Sequence, residues 1–132
     1  MKDMVYMPVH CNEVLHEGEY LDHKFVIMSQ GTHPTAYVEC KLKDLTGYHD
    51  ERLSGVSVHG GFTYHTRANW PAPDGPVVNV LGWDYMHPPL DFVGFVCLHP
   101  FGVSAKMWTT QEIYEEVKNV IRQLIELEAK ND

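Results

Sequence analysis

From Thr109 onward the apolar residues Ile113, Val117, Val120, Ile121, Leu124 and Leu127 recur every three or four positions, the period of one helical face. No other stretch constrains the fold as much, because a helix with a single apolar stripe must lay that stripe on something. Thr109-Thr110-Gln111-Glu112 supplies the start: Thr109 suits the capping position, and Glu112 stands where its carboxylate reaches back to the Thr109 amide. Glu112, Glu115 and Glu116 add negative charge at the positive end of the helix dipole. A helix is therefore expected over residues 109–130. Its stripe is too short for a sustained coiled coil, so it is expected to cover a sheet, with a homodimer seam as the lesser use.

Upstream, the apolar runs are short and strand-like. Phe25–Met28, Ala36–Cys40, Val77–Trp83 and Phe92–Leu98 read as strands, and Val56-Ser57-Val58-His59 alternates with period two. Pro88-Pro89 forbids helix between the last two runs and makes a meander the natural connection. Residues 1–23 show no sustained period and Gly18 interrupts them, so an irregular N-terminal arm is expected. Residues 42–53 read as a polar loop. Residues 66–76 carry Pro71, Pro73, Pro76 and Asp74-Gly75, the composition of a long connection. The expected class is α+β: an antiparallel, curved sheet of about five or six strands with the long C-terminal helix packed on it, one domain over residues 1–132.

Chemistry gathers at two strand ends. Gly60-Gly61 follows His59 and lets the backbone take positive φ. The run ending at Leu81-Gly82-Trp83 is followed by Asp84, His87 and Asp91. If these ends share one side of a sheet, His59, Asp84, His87 and Asp91 form a ligand set for a divalent metal such as zinc, manganese or magnesium. Without a metal, His59 or His87 becomes a general base whose tautomer Asp84 holds, so that His59, Asp84 and His87 are the candidate catalytic residues. Around them, His33 in its loop, Tyr64, Arg67, Trp70 and Trp83 are the candidate substrate-binding residues. Arg67 and Trp70 in particular suit a planar anion, by charge and stacking. The plain alternative is structural: Asp84 caps a turn, His87 packs on Trp83 or a proline, and His59 bonds a carbonyl.

Gly31-Thr32-His33-Pro34, Val58-His59-Gly60-Gly61-Phe62-Thr63-Tyr64, Gly82-Trp83-Asp84-Tyr85-Met86-His87 and the helix around Tyr114-Glu115-Glu116-Val117 also form a pattern. Over roughly residues 24 to 125 it resembles a family of small proteins encoded by bacteriophages and prophages. That family's pattern runs from Gly-His-Pro through His-Gly-Gly-(Leu/Phe)-Thr-Tyr to Gly-Phe-Asp-Cys-Ala-His-x-x-Asp. Here Thr32 separates Gly31 from His33, Trp83 stands for Phe, and the last Asp falls one position later, at Asp91. His59, Asp84 and His87 carry over directly. The resemblance implies a viral origin and a shared polar site more than a particular reaction.

Eighteen acidic against ten basic residues give a formal charge of −8, which disfavours a general nucleic-acid surface. Lys41 and Lys43 are close together, but Asp44 follows them, and the reading is a solvated strand edge. Cys11, Cys40 and Cys97 make an odd set without C-x-x-C spacing, so neither a disulfide framework nor a thiolate zinc site is suggested. This cysteine usage fits a reducing cytoplasm, and with no apolar run long enough to span a bilayer a soluble protein is expected; the resemblance implies that the cytoplasm is that of a host bacterium. P-loop, dinucleotide and nucleophile-elbow motifs are absent from the sequence. Two functions follow as expectations. One is a small accessory hydrolase of phosphoester or nucleotide-like substrates, acting on host-defence signalling molecules. The other is a non-catalytic protein that sequesters a small nucleotide ligand or docks on a host protein.

Overall fold

The computed structural model describes residues 13–31, 33–86 and 108–131. They form β1 (Glu13–Tyr20), β2 (His23–Ser29), β3 (Pro34–Cys40), β4 (Tyr64–Asn69), β5 (Val77–Asp84) and α1 (Thr110–Lys130), with one 3-10 turn at Glu51–Leu53. Every pairing is antiparallel and the sheet order is β1-β2-β3-β5-β4. The chain is thus α+β, a five-stranded open antiparallel sheet with one long C-terminal helix. β1, β2 and β3 follow one another in the sheet, and β5 then inserts between β3 and β4; the meander expected across Pro88-Pro89 lies outside the described residues. The strand expected at 92–98, together with Cys11 and Cys97, lies outside the described residues.

Register and alternation sort the side chains onto two faces. Cys40 pairs with Asn79, Val38 with Leu81 and Ala36 with Trp83, while Phe25 pairs with Val38 and Ile27 with Ala36. These residues face α1, and all but Asn79 join the buried core with Ile113, Val117, Val120, Ile121 and Leu124 of the helix. Tyr114 closes the β1 side, its ring 4.9 Å from His16 and 5.3 Å from Phe25. The opposite face carries Glu39, Val80, Gly82, Tyr37 and Tyr64, the partners one step out of phase. The helix starts as its sequence dictates: the Glu112 amide donates to Thr109 Oγ1 at 3.1 Å, and the Thr109 amide donates to Glu112 Oε1 at 3.0 Å.

Three local expectations are corrected. Residues 13–20 of the expected irregular arm form β1, a mostly exposed edge strand whose hairpin turns at Leu21-Asp22, both at positive φ. Residues 66–69, expected as loop, belong to β4, so the connection is confined to residues 70–76. Val56–His59 is not a strand. The Ser57 amide and carbonyl bond the Gln123 side chain at 2.8 and 2.9 Å, and the His59 amide donates to Glu116 at 2.8 Å. Side chains of α1 thereby satisfy backbone groups that a strand partner would otherwise take. Among the described residues no helix is long and apolar enough to cross a membrane.

Candidate functional site

His59 precedes a tight turn in which Gly60 and Gly61 have φ of 70° and 80° and the Gly61 amide donates to the Val58 carbonyl. The turn lays the imidazole flat on Tyr85, ring centroids 4.6 Å apart, with Trp108 edge-on at 5.0 Å. The Tyr85 hydroxyl donates to Glu116 Oε1 and accepts from the Trp83 indole at 3.1 Å. This is an aromatic and carboxylate lock between the turn, β5 and the first half of α1. Tyr85 and Trp83 are in the core.

Asp84 belongs to the other face. It pairs with Thr35, whereas its neighbour Trp83 pairs with Ala36 on the helix side. Asp84 accepts from the Met86 amide at 3.1 Å and from Thr63 Oγ1 at 3.3 Å. Its charge acts on His33: burial holds that imidazole below the ordinary histidine value, and the Asp84 carboxylate opposes the shift. Asp84 is therefore grouped with His33 and Thr63, while His59 is stacked on Tyr85.

Of the remaining sequence candidates, Tyr64 stands edge-on to Tyr37 at 5.5 Å above Gly82, on the face of Asp84. Trp83, expected to touch substrate, is 1% exposed and is a core residue. Trp70 opens the 70–76 connection, its amide bonded to the Pro76 carbonyl. His87 and Asp91 lie outside the described residues. Among the described residues no group of three or more His, Cys, Asp or Glu side chains is placed to hold a metal ion. Cys40 is buried, which pushes its thiol up to about 12 and leaves no thiolate nucleophile there.

A further concavity lies elsewhere, at the end of the sheet where β3 leaves and β5 begins. This cleft of about 530 Å³ is lined by Lys41, Lys43, Asp44, Arg67, Val77 and Asn79, among others, a size suited to a small molecule. Three of the chain's ten basic residues stand on it. Among the described residues none of the three has a carboxylate partner within ion-pair distance. Its floor is Asn79, 6% exposed, whose Oδ1 accepts from His65 Nε2 at 3.0 Å. The amide nitrogen of Asn79 has no acceptor among the described residues.

The wall that carries Lys43 and Asp44 is held from behind. The Asp50 carboxylate accepts from the Thr46 amide and from Arg52 Nε and Nη2, and Arg52 also donates to the Asp44 carbonyl. The Arg52 guanidinium keeps the Asp50 carboxyl well below the usual carboxylate range. Of the residues expected to bind ligand, Arg67 alone lines this cleft. Sequence reasoning passed over Lys41 and Lys43 because Asp44 follows them, and passed over Asn79 altogether. The usable signal was a polar residue inside the apolar run Val77-Val78-Asn79-Val80-Leu81, since buried polar side chains mean more than exposed ones.

No family model, curated protein or solved structure matches the chain.

Proposed function

We propose that this is a small binding protein that holds a compact phosphate-bearing, nucleotide-like ligand in the sheet-end cleft without turning it over. One observation carries the reading: in a chain of net charge −8, three cations without a carboxylate partner among the described residues and the amide of a buried asparagine converge on one cleft. The Asn79 NH2 offers a phosphoryl oxygen a directed donor, and Lys41, Lys43 and Arg67 attract its charge. The motif resemblance supplies the setting, a phage accessory protein that sequesters a host signalling nucleotide in the cytoplasm of the infected cell.

The hydrolase built on His59, Asp84 and His87 is the second reading, and what favours it is His33 beside Asp84, an imidazole kept neutral near pH 7 next to a carboxylate. Distance weighs against joining the two. Arg67 pairs with Asn79, five residues before Asp84 on β5, about 17 Å at strand rise. A ligand held by Arg67 does not also sit on Asp84 unless it is longer than a mononucleotide. Calorimetric titration with adenosine triphosphate and pyrophosphate, followed by chromatography of the recovered ligand, tests the proposal. Expected is saturable binding that weakens with salt, with the ligand recovered intact. No heat at low ionic strength, or cleaved ligand, overturns it.

A further inference from the structure

The cleft's preference for an anion depends on which end of one buried amide faces it. Asn79 offers a carbonyl and an NH2 group related by a half-turn about its last side-chain bond, and only one of them can face the cleft. Its neighbour on the same face is His65, which pairs with Leu81 and so stands diagonally across from Asn79 on the adjacent strand. His65 Nε2 is 3.0 Å from Asn79 Oδ1, and that contact needs a proton on Nε2. If the imidazole carried its proton on Nδ1 instead, Nε2 would present a lone pair, and the Asn79 NH2 would turn to meet it. The carbonyl would then face the cleft and repel the ligand's oxygens.

We infer that His65 is a positioning and specificity-determining residue: by donating from Nε2 to Asn79 Oδ1 it turns the Asn79 NH2 into the cleft, where it donates to a phosphoryl oxygen. This rests on the reading of the cleft as an anion site. Lys41, Lys43 and Arg67 are exposed and supply attraction that any anion feels. Asn79 supplies a directed donor at the floor, which rewards an oxyanion whose oxygen reaches it. Two carboxylates belong to the lining as well. Glu39 turns to the opposite face, where it accepts from the Lys24 amide at 3.1 Å, and Asp44 sits on the wall among the cations.

The test uses the intact protein and pyrophosphate as probe. Long-range proton–nitrogen correlation spectra of the wild type report which ring nitrogen of His65 is protonated, with no substitution needed. Protonated Nε2, together with a shift of the Asn79 side-chain NH2 resonances on adding pyrophosphate, is the expected result; an Nδ1–H tautomer, or NH2 resonances that stay in place, overturns the inference. Titrations of His65→Gln and His65→Leu provide the second arm. Glutamine retains an N–H able to reach Asn79 Oδ1 and keeps affinity within about twofold, whereas leucine loses about tenfold, the worth of one ordinary hydrogen bond. Equal affinity in His65→Leu with binding lost in Arg67→Ala leaves the anion cleft standing and removes His65 from it. Failure of the wild type to bind pyrophosphate removes both.

Discussion

His23 and Glu128, 105 residues apart in sequence, meet with His23 Nε2 at 2.9 Å from a Glu128 carboxylate oxygen. The other ring nitrogen, Nδ1, is 2.8 Å from the Leu21 carbonyl, so both nitrogens face acceptors and the doubly protonated imidazolium satisfies both. Glu128 also accepts from the Lys41 amide at 2.8 Å. The last turns of α1 are thus tied to the β1–β2 hairpin and to the exit of β3, beside the cleft.

Burial by itself would lower the His23 value; the Glu128 carboxylate and the Leu21 carbonyl outweigh it, and the net shift is upward from 6.5. A raised folded-state value means that the pair's contribution is fully present below about pH 6.5 and is lost as pH rises through that raised value. Glu128→Gln should cost about 2 kcal/mol at pH 5.5, in the range of a buried hydrogen bond to a charged group, and clearly less at pH 9. Urea unfolding of both proteins across that interval measures it. A cost independent of pH would refute the imidazolium.

Gly82 lies beneath two aromatic rings. A methyl group there would stand 2.7 Å from Tyr37 Cδ1 and 3.2 Å from Tyr64 Cβ. Gly82→Ala should therefore lower stability by about 1–3 kcal/mol through overpacking, and most of that loss should vanish in a Tyr37→Ala background. Chemical unfolding of the four proteins in the cycle gives the coupling, and additive losses would show the rings are not the obstacle.

Tyr85 links the Trp83 indole to Glu116. Removing its hydroxyl leaves a buried indole N–H without an acceptor, so Tyr85→Phe should cost about 1–3 kcal/mol while ligand affinity stays unchanged. Thermal unfolding beside calorimetric titration separates the two effects. A variant as stable as the parent but unable to bind would instead place the ligand at the His59 end.

Asp84→Ala removes acceptors for Thr63 and the Met86 amide but leaves the cleft untouched. Expected are a small loss of stability and a nucleotide affinity within about twofold of the parent, the range of a distant, uncoupled site. Cleavage of adenosine triphosphate by the parent that disappears in this variant would establish the hydrolase reading.

Wherever one face of an element is buried, periodicity made that element legible. The stripe from Ile113 to Leu124 and the capping pair Thr109 and Glu112 gave α1, and the runs at 25–28, 36–40 and 77–83 gave the three central strands. The edges carry no such signal: in β1, Glu13, His16, Glu17 and Glu19 break any apolar alternation, and in β4 Tyr64 to Arg67 offer Ala68 as their first small apolar neighbour. Val56 and Val58 misled in the opposite sense. They alternate as in a strand and pack on the core, yet helix side chains bond the backbone between them. Of the site, Arg67 was legible as a cation beside a proline-rich turn. Asn79 was not, because its meaning depends on His65 across the strand pair, a contact set by register rather than by spacing.

The most direct measurement is an amide proton–nitrogen correlation titration with adenosine triphosphate at low salt. Binding in the cleft shifts the resonances of residues 41–45, Arg67, residues 77–79 and the Asn79 side-chain NH2, in one saturable step. Shifts confined instead to His33, Thr63 and Asp84, or no shifts at all, would contradict the placement of the ligand at the sheet end.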